Sequence, residues 1–242
     1  MRAIILAAGL GIRMSPLTNT VPKCLLDIGG KSVIERQIEI LHSVGVRKII
    51  LVLGYRADMV RKITKRKCTH VINQNYKTTN SIESLWLARN FLRDDLLIIN
   101  GDVIFEKKLI YDLIQNPSNI CFALTTAWEA NRGYKIEVKN GRVVKIGPDI
   151  KKGEIFGEDA GIVKVKRAAI HYLKSNLRNF IRKNMVHCWF EDIFAEIARK
   201  KIRMDYFDVQ DYLWYEFDTP EEWQHANKLY EQYERKKITY PI

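Results

Sequence analysis

Residues 2–30 read RAIILAAGLGIRMSPLTNTVPKCLLDIGG, and the fold turns on how they are read. Arg2 to Ala8 is an apolar run of strand length, without alternation and closed by glycine. Such a run suits a central parallel strand covered on both faces. Gly9 and Gly11 let the chain beyond it turn sharply and approach a ligand, since neither carries a Cβ. Amides exposed in a turn of this kind favour an anion. Arg13 adds a permanent forked cation and Lys23 a compact one, while Pro16 and Pro22 stiffen the loop. The loop leaves the carboxyl end of a strand, where open α/β sheets bind ligands. It is not a P-loop, because no Gly-Lys-Ser/Thr follows. Nor is it the dinucleotide fingerprint, because Met14 stands where a third glycine belongs.

Working outward, Ser32-Val33-Ile34-Glu35 is a capping box opening a helix whose face is Ile34, Ile38, Leu41 and His42, ended by Gly45. Lys48 to Leu53 is a second buried strand, followed by a short amphipathic helix around Met59, Val60 and Ile63. His70 to Asn73 is a third strand and 75–79 a polar loop. Asn80 or Ser81 caps the next helix, with Ile82, Leu85, Trp86, Arg89 and Leu92 at helical spacing and Trp86 a core residue. Leu96 to Asn100 is a fourth strand, ended by Gly101-Asp102. Strands alternating with helices predict a doubly wound, Rossmann-like, mostly parallel α/β sheet.

The second half changes character. Strands are expected at Ile120–Ala127 and Ala160–Val165, and a hairpin at Tyr134–Val138 and Arg142–Ile146 around Asn140-Gly141. These predict a small antiparallel insertion, either an edge or a subdomain. Trp189, Phe190, Ile193, Phe194 and Ile197 mark a helix. Strands follow at Arg203–Val209 and Leu213–Phe217, and Thr219-Pro220-Glu221-Glu222 opens the C-terminal helix.

The 242 residues suit one large α/β domain. No signal peptide is expected, and no stretch reaches membrane-spanning length. Cys24, Cys68, Cys121 and Cys188 are far apart, which argues against structural zinc and for reduced thiols in a cytoplasm. The net charge of +12 fits either nucleic acid or an anionic small molecule as partner. The basic residues are dispersed, no RNA-binding signature interleaves them with aromatics, and most are read as solvated surface. Small molecules are therefore the expected partners, with no nucleic acid and no membrane insertion; the oligomeric state stays open.

Two acids stand out by position. Asp102 follows the strand LLIIN, and Asp218 follows LWYEF just before a capped helix. Each ends a strand where the glycine loop also sits. A hard cation such as Mg²⁺ takes one or two carboxylates plus phosphate oxygens, so the pair suits nucleoside-triphosphate chemistry. No histidine spacing suggests a metal site, and no nucleophile motif is present.

The string Gly9-x-Gly11-x-Arg13, Pro16-Leu17-Thr18, Pro22-Lys23, Leu25-Leu26 resembles the N-terminal signature of the nucleotidyltransferases that activate sugar phosphates and phospho-alcohols. INGDVIF and YEFDTPEEW resemble that family's two metal segments. NQNYKTTNSIESLWLAR is similar to the cytidylyltransferases for phosphocholine and related compounds, and KIEVKNGRVVKIG to those for inositol 1-phosphate and aminoalkylphosphonates. The resemblance implies one domain over 1–242, with a nucleotide-binding half to about 115 and an acceptor-binding half beyond. It implies that Leu6, Ala7, Ala8, Gly9 and Gly11 cradle the nucleotide, with Asn80 and Ser81 near base or ribose. Arg13 and Lys23 would act on the phosphates, and Asp102 and Asp218 would hold Mg²⁺. The implied reaction joins CMP from CTP to a phosphorylated alcohol or amine and releases pyrophosphate. The alternative is a hexose 1-phosphate with dTTP, UTP or GTP. For the acceptor, Trp128, Tyr134, Trp189 and Tyr215 offer aromatic faces. Glu158-Asp159 and Glu191-Asp192 offer carboxylates to an ammonium or to sugar hydroxyls. The choline-binding tryptophan of the phosphocholine enzymes has no counterpart around Asn131 to Tyr134.

Overall fold

A computed structural model describes residues 1–127 and 133–239. Strand β1 (Arg2–Ala7) leads into the glycine loop, and two short strands, β2 (Asp27–Ile28) and β3 (Lys31–Ser32), precede α1 (Val33–Ser43). Then come β4 (Lys48–Leu53), α2 (Ala57–Thr64), β5 (Thr69–Ile72), α3 (Ser81–Leu87), β6 (Leu96–Asn100), β7 (Val103–Phe105) and α4 (Lys107–Gln115). The second half runs β8 (Ile120–Thr125), β9 (Lys135–Lys139), β10 (Arg142–Gly147), β11 (Gly157–Val165), α5 (Ile170–Arg182) and α6 (Glu191–Arg199). It closes with β12 (Asp205–Asp208), β13 (Trp214–Glu216) and α7 (Pro220–Thr239).

β1 lies between β4 and β6 and is parallel to both, with β5 parallel beyond β4. The unalternating apolar run is explained by two cores. Ile4 packs with Ile82 and Leu85 of α3 on one face, and Ile5 with Ile34 and Ile38 of α1 on the other. All six side chains are fully buried, each contributing roughly 1.5–3 kcal/mol relative to exposure. Helix α1 starts where its capping box places it: the Ser32 hydroxyl accepts from the Glu35 amide, and the Glu35 carboxylate accepts from the Ser32 amide. Gly45, at φ +86°, takes the left-handed conformation expected past the helix end.

The antiparallel strands extend this same sheet as an edge and form no separate subdomain. β11 runs antiparallel beside β6 and carries both β8 and the β9–β10 hairpin, while β12 adds parallel to β8. Asn140 and Gly141, both at positive φ, make the expected hairpin turn. The predicted strand at Leu213–Phe217 shortens to β13 and leaves the main sheet to pair with β7. Helices α4 and α5 lie where no helix was expected, each presenting an apolar face: Leu109, Ile110 and Leu113 in α4, and Ile170, Leu173, Leu177 and Phe180 in α5. Trp86 packs against the core, and Arg89 stacks on its ring. Among the described residues no helix is long and apolar enough to cross a membrane, and all four cysteines are free thiols.

The chain after β1 is sewn to the ends of both neighbouring strands. The Gly101 amide donates to the Leu6 carbonyl at 2.9 Å and the Tyr55 amide to the Ala8 carbonyl at 3.0 Å. A Cβ on Gly101 would lie 2.7 Å from the Ala7 Cβ, so only glycine permits this approach. Gly101→Ala is therefore expected to cost about 1–3 kcal/mol through overpacking against backbone that cannot rotate away. A urea unfolding midpoint unchanged by the substitution would contradict this packing account.

Candidate active site

The glycine loop is built for exposed amides. Gly11 sits at φ +62°, and a Cβ there would press against Thr18 and Lys23 side-chain atoms at 3.2 and 3.3 Å. Gly9 is not in the left-handed region, and a Cβ on it would meet no protein atom within 4 Å, so its bareness matters only toward the cleft it borders. The amides of Gly9, Leu10 and Gly11 donate to no group among the described residues. The far side of the loop is pinned. Thr18 donates its hydroxyl proton to the Gly11 carbonyl at 2.8 Å, and the Tyr55 hydroxyl lies 3.0 and 2.8 Å from the carbonyls of Thr18 and Asn19.

Beside this loop three charged side chains converge from distant parts of the chain. Lys23 Nζ lies 2.5 Å from Asp102 Oδ2 and 2.8 Å from Asp218 Oδ1. Arg13 reaches the other oxygen of Asp218 at 2.8 Å from a largely exposed position. Burial alone would lower the Lys23 ammonium, but the charges of Asp102 and Asp218, with their hydrogen bonds, outweigh it and raise its pKa.

Local structure explains how two acids far apart in sequence meet. β13 pairs antiparallel with β7 in the register Glu216 to Val103, so the chain leaving Glu216 passes Asp102, the residue before Val103. Gln37 of α1 donates its side-chain amide to the carbonyls of Asn100 and Val103, at 2.9 and 2.7 Å, and clamps the turn that carries Asp102. Glu222 of α7 accepts the Asp218 amide at 2.6 Å. Both clamps escaped the sequence reading, because a buried Gln on a helix and a Glu in a first turn look structural until their partners are known.

The cleft has a volume of about 1240 Å³ and runs from this cluster to the antiparallel edge. Leu6, Ala7, Ala8, Gly9, Gly11, Arg13, Lys23, Asn80, Ser81, Asp102 and Asp218 all border it, as do Tyr134, Glu158, Asp159, Trp189 and Tyr215. Asn80 caps α3 through the Ser81 amide, and the Ser81 hydroxyl accepts from the Phe190 amide. Asp192 does not border the cleft. Its carboxylate accepts the Trp189 amide at 2.9 Å and the Tyr134 hydroxyl, so it shapes the wall and leaves Glu191, one residue earlier, to face inward. Trp128 and Asn131-Arg132 lie outside the described residues.

Residues 3–188 match the MobA-like NTP transferase domain. The chain belongs to that family. A similar protein is the bifunctional IPC transferase and DIPP synthase of Aquifex aeolicus, 27% identical over 229 residues that cover 93% of this chain and 51% of that protein. The choline-phosphate cytidylyltransferase of Haemophilus influenzae is 34% identical over 148 residues, covering 60% of this chain and 62% of that protein. The chain thus spans about half the length of the first and less than two thirds of the second. In solved structures, the CTP:phosphocholine cytidylyltransferase of Streptococcus pneumoniae shares the fold, with a TM-score of 0.80 at 20% identity over 94% of this chain and 98% of that one. The expectations of a nucleotidyltransferase family and of its Rossmann-like fold are both met.

The end of the NTP transferase cleft formed by β11, β13 and the start of α6 is strongly acidic. Asp159 and Glu191 are 7% and 3% exposed and face the cleft. Burial raises the carboxyl of Asp159 to about 7, and burial together with the charge of Asp159 pushes Glu191 well above the usual range. The two carboxyl groups lie close enough to act on each other, so they titrate as one unit. Glu216 is raised by desolvation and by the charge of Asp102; its position was not anticipated. Gly161, at φ +69°, kinks β11 here, in the stretch where its pairing with β8 shifts register.

A carboxyl held protonated in the folded state favours folding less as pH rises. Between the ordinary carboxylate range and about pH 7, the folded chain retains a proton at Asp159 that the unfolded chain has lost. Stability therefore falls with rising pH through that window. Asp159→Asn removes the effect, so its stability relative to wild type should improve by about 2 kcal/mol between pH 5 and pH 8. Urea denaturation at the two pH values checks this; a difference independent of pH would contradict it.

Proposed function

We propose that this chain transfers a cytidylyl group from CTP to a small phosphorylated alcohol or amine and releases pyrophosphate. The observation that carries the reading is the Lys23 ammonium shared by Asp102 and Asp218 beside the amides of the glycine loop. Those amides and the forked Arg13 cation suit the β- and γ-phosphates. Lys23 suits the phosphorus under attack, where negative charge accumulates as the acceptor phosphate approaches. An oxygen of that acceptor phosphate forms the new bond to the α-phosphorus, the bond to the β-phosphate oxygen breaks, and pyrophosphate leaves. A phosphomonoester has a second pKa of about 6 and is largely dianionic near neutral pH, so no general base is needed. No covalent enzyme intermediate is required, and positioning and fixed charge supply the rate.

Asp102 and Asp218 fit a hard divalent cation. Both are oxygen donors, and both approach one positive charge within hydrogen-bond distance. Among the described residues no group of three or more His, Cys, Asp or Glu side chains is arranged to hold an ion. That suits Mg²⁺, which keeps water and phosphate oxygens as its other ligands. When bound, Mg²⁺ would neutralise the triphosphate and help stabilise the departing pyrophosphate. The choice of CTP rests on the cytidylyltransferases among the relatives and on the similarity of residues 73–89 to such enzymes. The second reading, a hexose 1-phosphate with dTTP, UTP or GTP, is separated from it by a thermal-shift panel of the four nucleotides, in which a preferred ligand stabilises the fold by mass action.

The test is pyrophosphate release with CTP, Mg²⁺ and a panel of phosphorylated acceptors. Lys23→Ala is expected to lower kcat/KM by roughly 10²–10³-fold, the loss typical of one charge-stabilising donor. Wild-type turnover in that variant would refute the assigned chemistry.

A further inference from the structure

The acidic end of the cleft is suited to a cationic group. Asp159 Oδ1 and Glu191 Oε2 are buried and receive no hydrogen bond from any donor among the described residues. Both side chains are more than nine-tenths buried, and both border the cleft. Lys135, a buried cation on β9, pairs with Glu158 at 3.2 Å. Buried oxygens left without donors are costly, and a carboxylate pair is costlier still. In the free protein, burial and mutual charge favour retention of a proton on the pair, which lessens this cost. A bound protonated amine brings the same charge and several N–H donors to the same oxygens.

Position ties this end to the phosphate end. β11 pairs with β6 in the register Ile162 to Ile99, so Asp159 lies on the stretch of β11 that runs past the end of β6, where the Asp102 turn begins. Glu216, opposite Val103 in the β7–β13 pairing, borders the cleft beside the same turn. A compact molecule therefore spans the two ends, its phosphate at the Lys23 cluster and its other group among the acids. The unmet need is for hydrogen bonds, which a quaternary ammonium cannot donate; such a group is better served by aromatic faces.

Resting on the cytidylyl-transfer reading, we propose that the phosphorylated acceptor carries a protonated amine with N–H donors, received by Asp159 and Glu191. The acceptor class is then an amino-alcohol phosphate or a close analogue, and not a neutral polyol or sugar phosphate.

The test compares ethanolamine phosphate with its neutral counterpart ethylene glycol monophosphate, together with phosphocholine and inositol 1-phosphate, using the full chain with CTP and Mg²⁺. Ethanolamine phosphate is expected to exceed the glycol phosphate by about 100-fold in kcat/KM, since a site built for N–H donors discriminates strongly against a ligand lacking them. Glu191→Gln is expected to reduce that ratio to about threefold or less, mainly through KM. Equal use of the two in the wild type, or preference for phosphocholine or inositol 1-phosphate, would overturn the amine assignment while leaving cytidylyl transfer in place. If no acceptor releases pyrophosphate, it is the transfer reading that falls. Calorimetric titration of the wild type with ethanolamine phosphate and with glycol phosphate then decides the amine assignment: tighter binding of the amine supports it, and equal binding overturns it.

Discussion

One buried ammonium organises this molecule. Lys23 enters from the loop after β1, Asp102 from the turn after β6, and Asp218 from the turn before α7, and the three meet within hydrogen-bond distance. Lys23 is 11% exposed and the carboxylates 26% and 32%, so removing one partner costs less than the roughly 3–5 kcal/mol of a fully buried pair but still leaves charge uncompensated. Other features hold this meeting in place. Gly101 lets the Asp102 turn lie against β1, Gln37 grips its carbonyls, the β7–β13 pairing returns the chain to it, and Glu222 fixes the Asp218 amide.

The cleft built on this cluster has two ends of opposite character. The loop end gathers amides and cations suited to phosphate. The far end gathers carboxyl groups whose burial keeps protons on them near neutrality. Polarity of this kind suits the proposed acceptor, which carries a phosphate and a positive charge in one molecule. The strongly basic composition bears little on it, since the far end of the cleft is acidic despite a net charge of +12.

Much of this was legible in the sequence because local chemistry announced it. The unbroken run at Arg2–Ala7 could only be a doubly covered strand, and the Ser32–Glu35 box marked a helix start to the residue. Asp102 and Asp218 stood out because each followed a strand, Asp218 just before a capped helix. What escaped depended on partners remote in sequence. Helices α4 and α5 lack a capping side chain, and their apolar spacing alone was passed over. Asp192 looked equivalent to Glu191, but the start of α6 turns one toward Trp189 and Tyr134 and the other into the cleft. Gln37 and Glu216 carry no local signal, since their roles exist only in the packing of α1 and the register of β7 with β13, whereas Glu222 was read as part of a helix start and not as the acceptor of the Asp218 amide four residues earlier.

The claim on which everything else depends is that Asp102 and Asp218 act as one unit. Titration of Mn²⁺ by electron paramagnetic resonance in the presence of CTP measures this directly in the wild type, Asp102→Asn, Asp218→Asn and the double variant. The account predicts that either single substitution weakens ion binding nearly as much as both together, the non-additivity expected of side chains sharing one ligand. Wild-type affinity in Asp218→Asn, or losses that simply add, would contradict it.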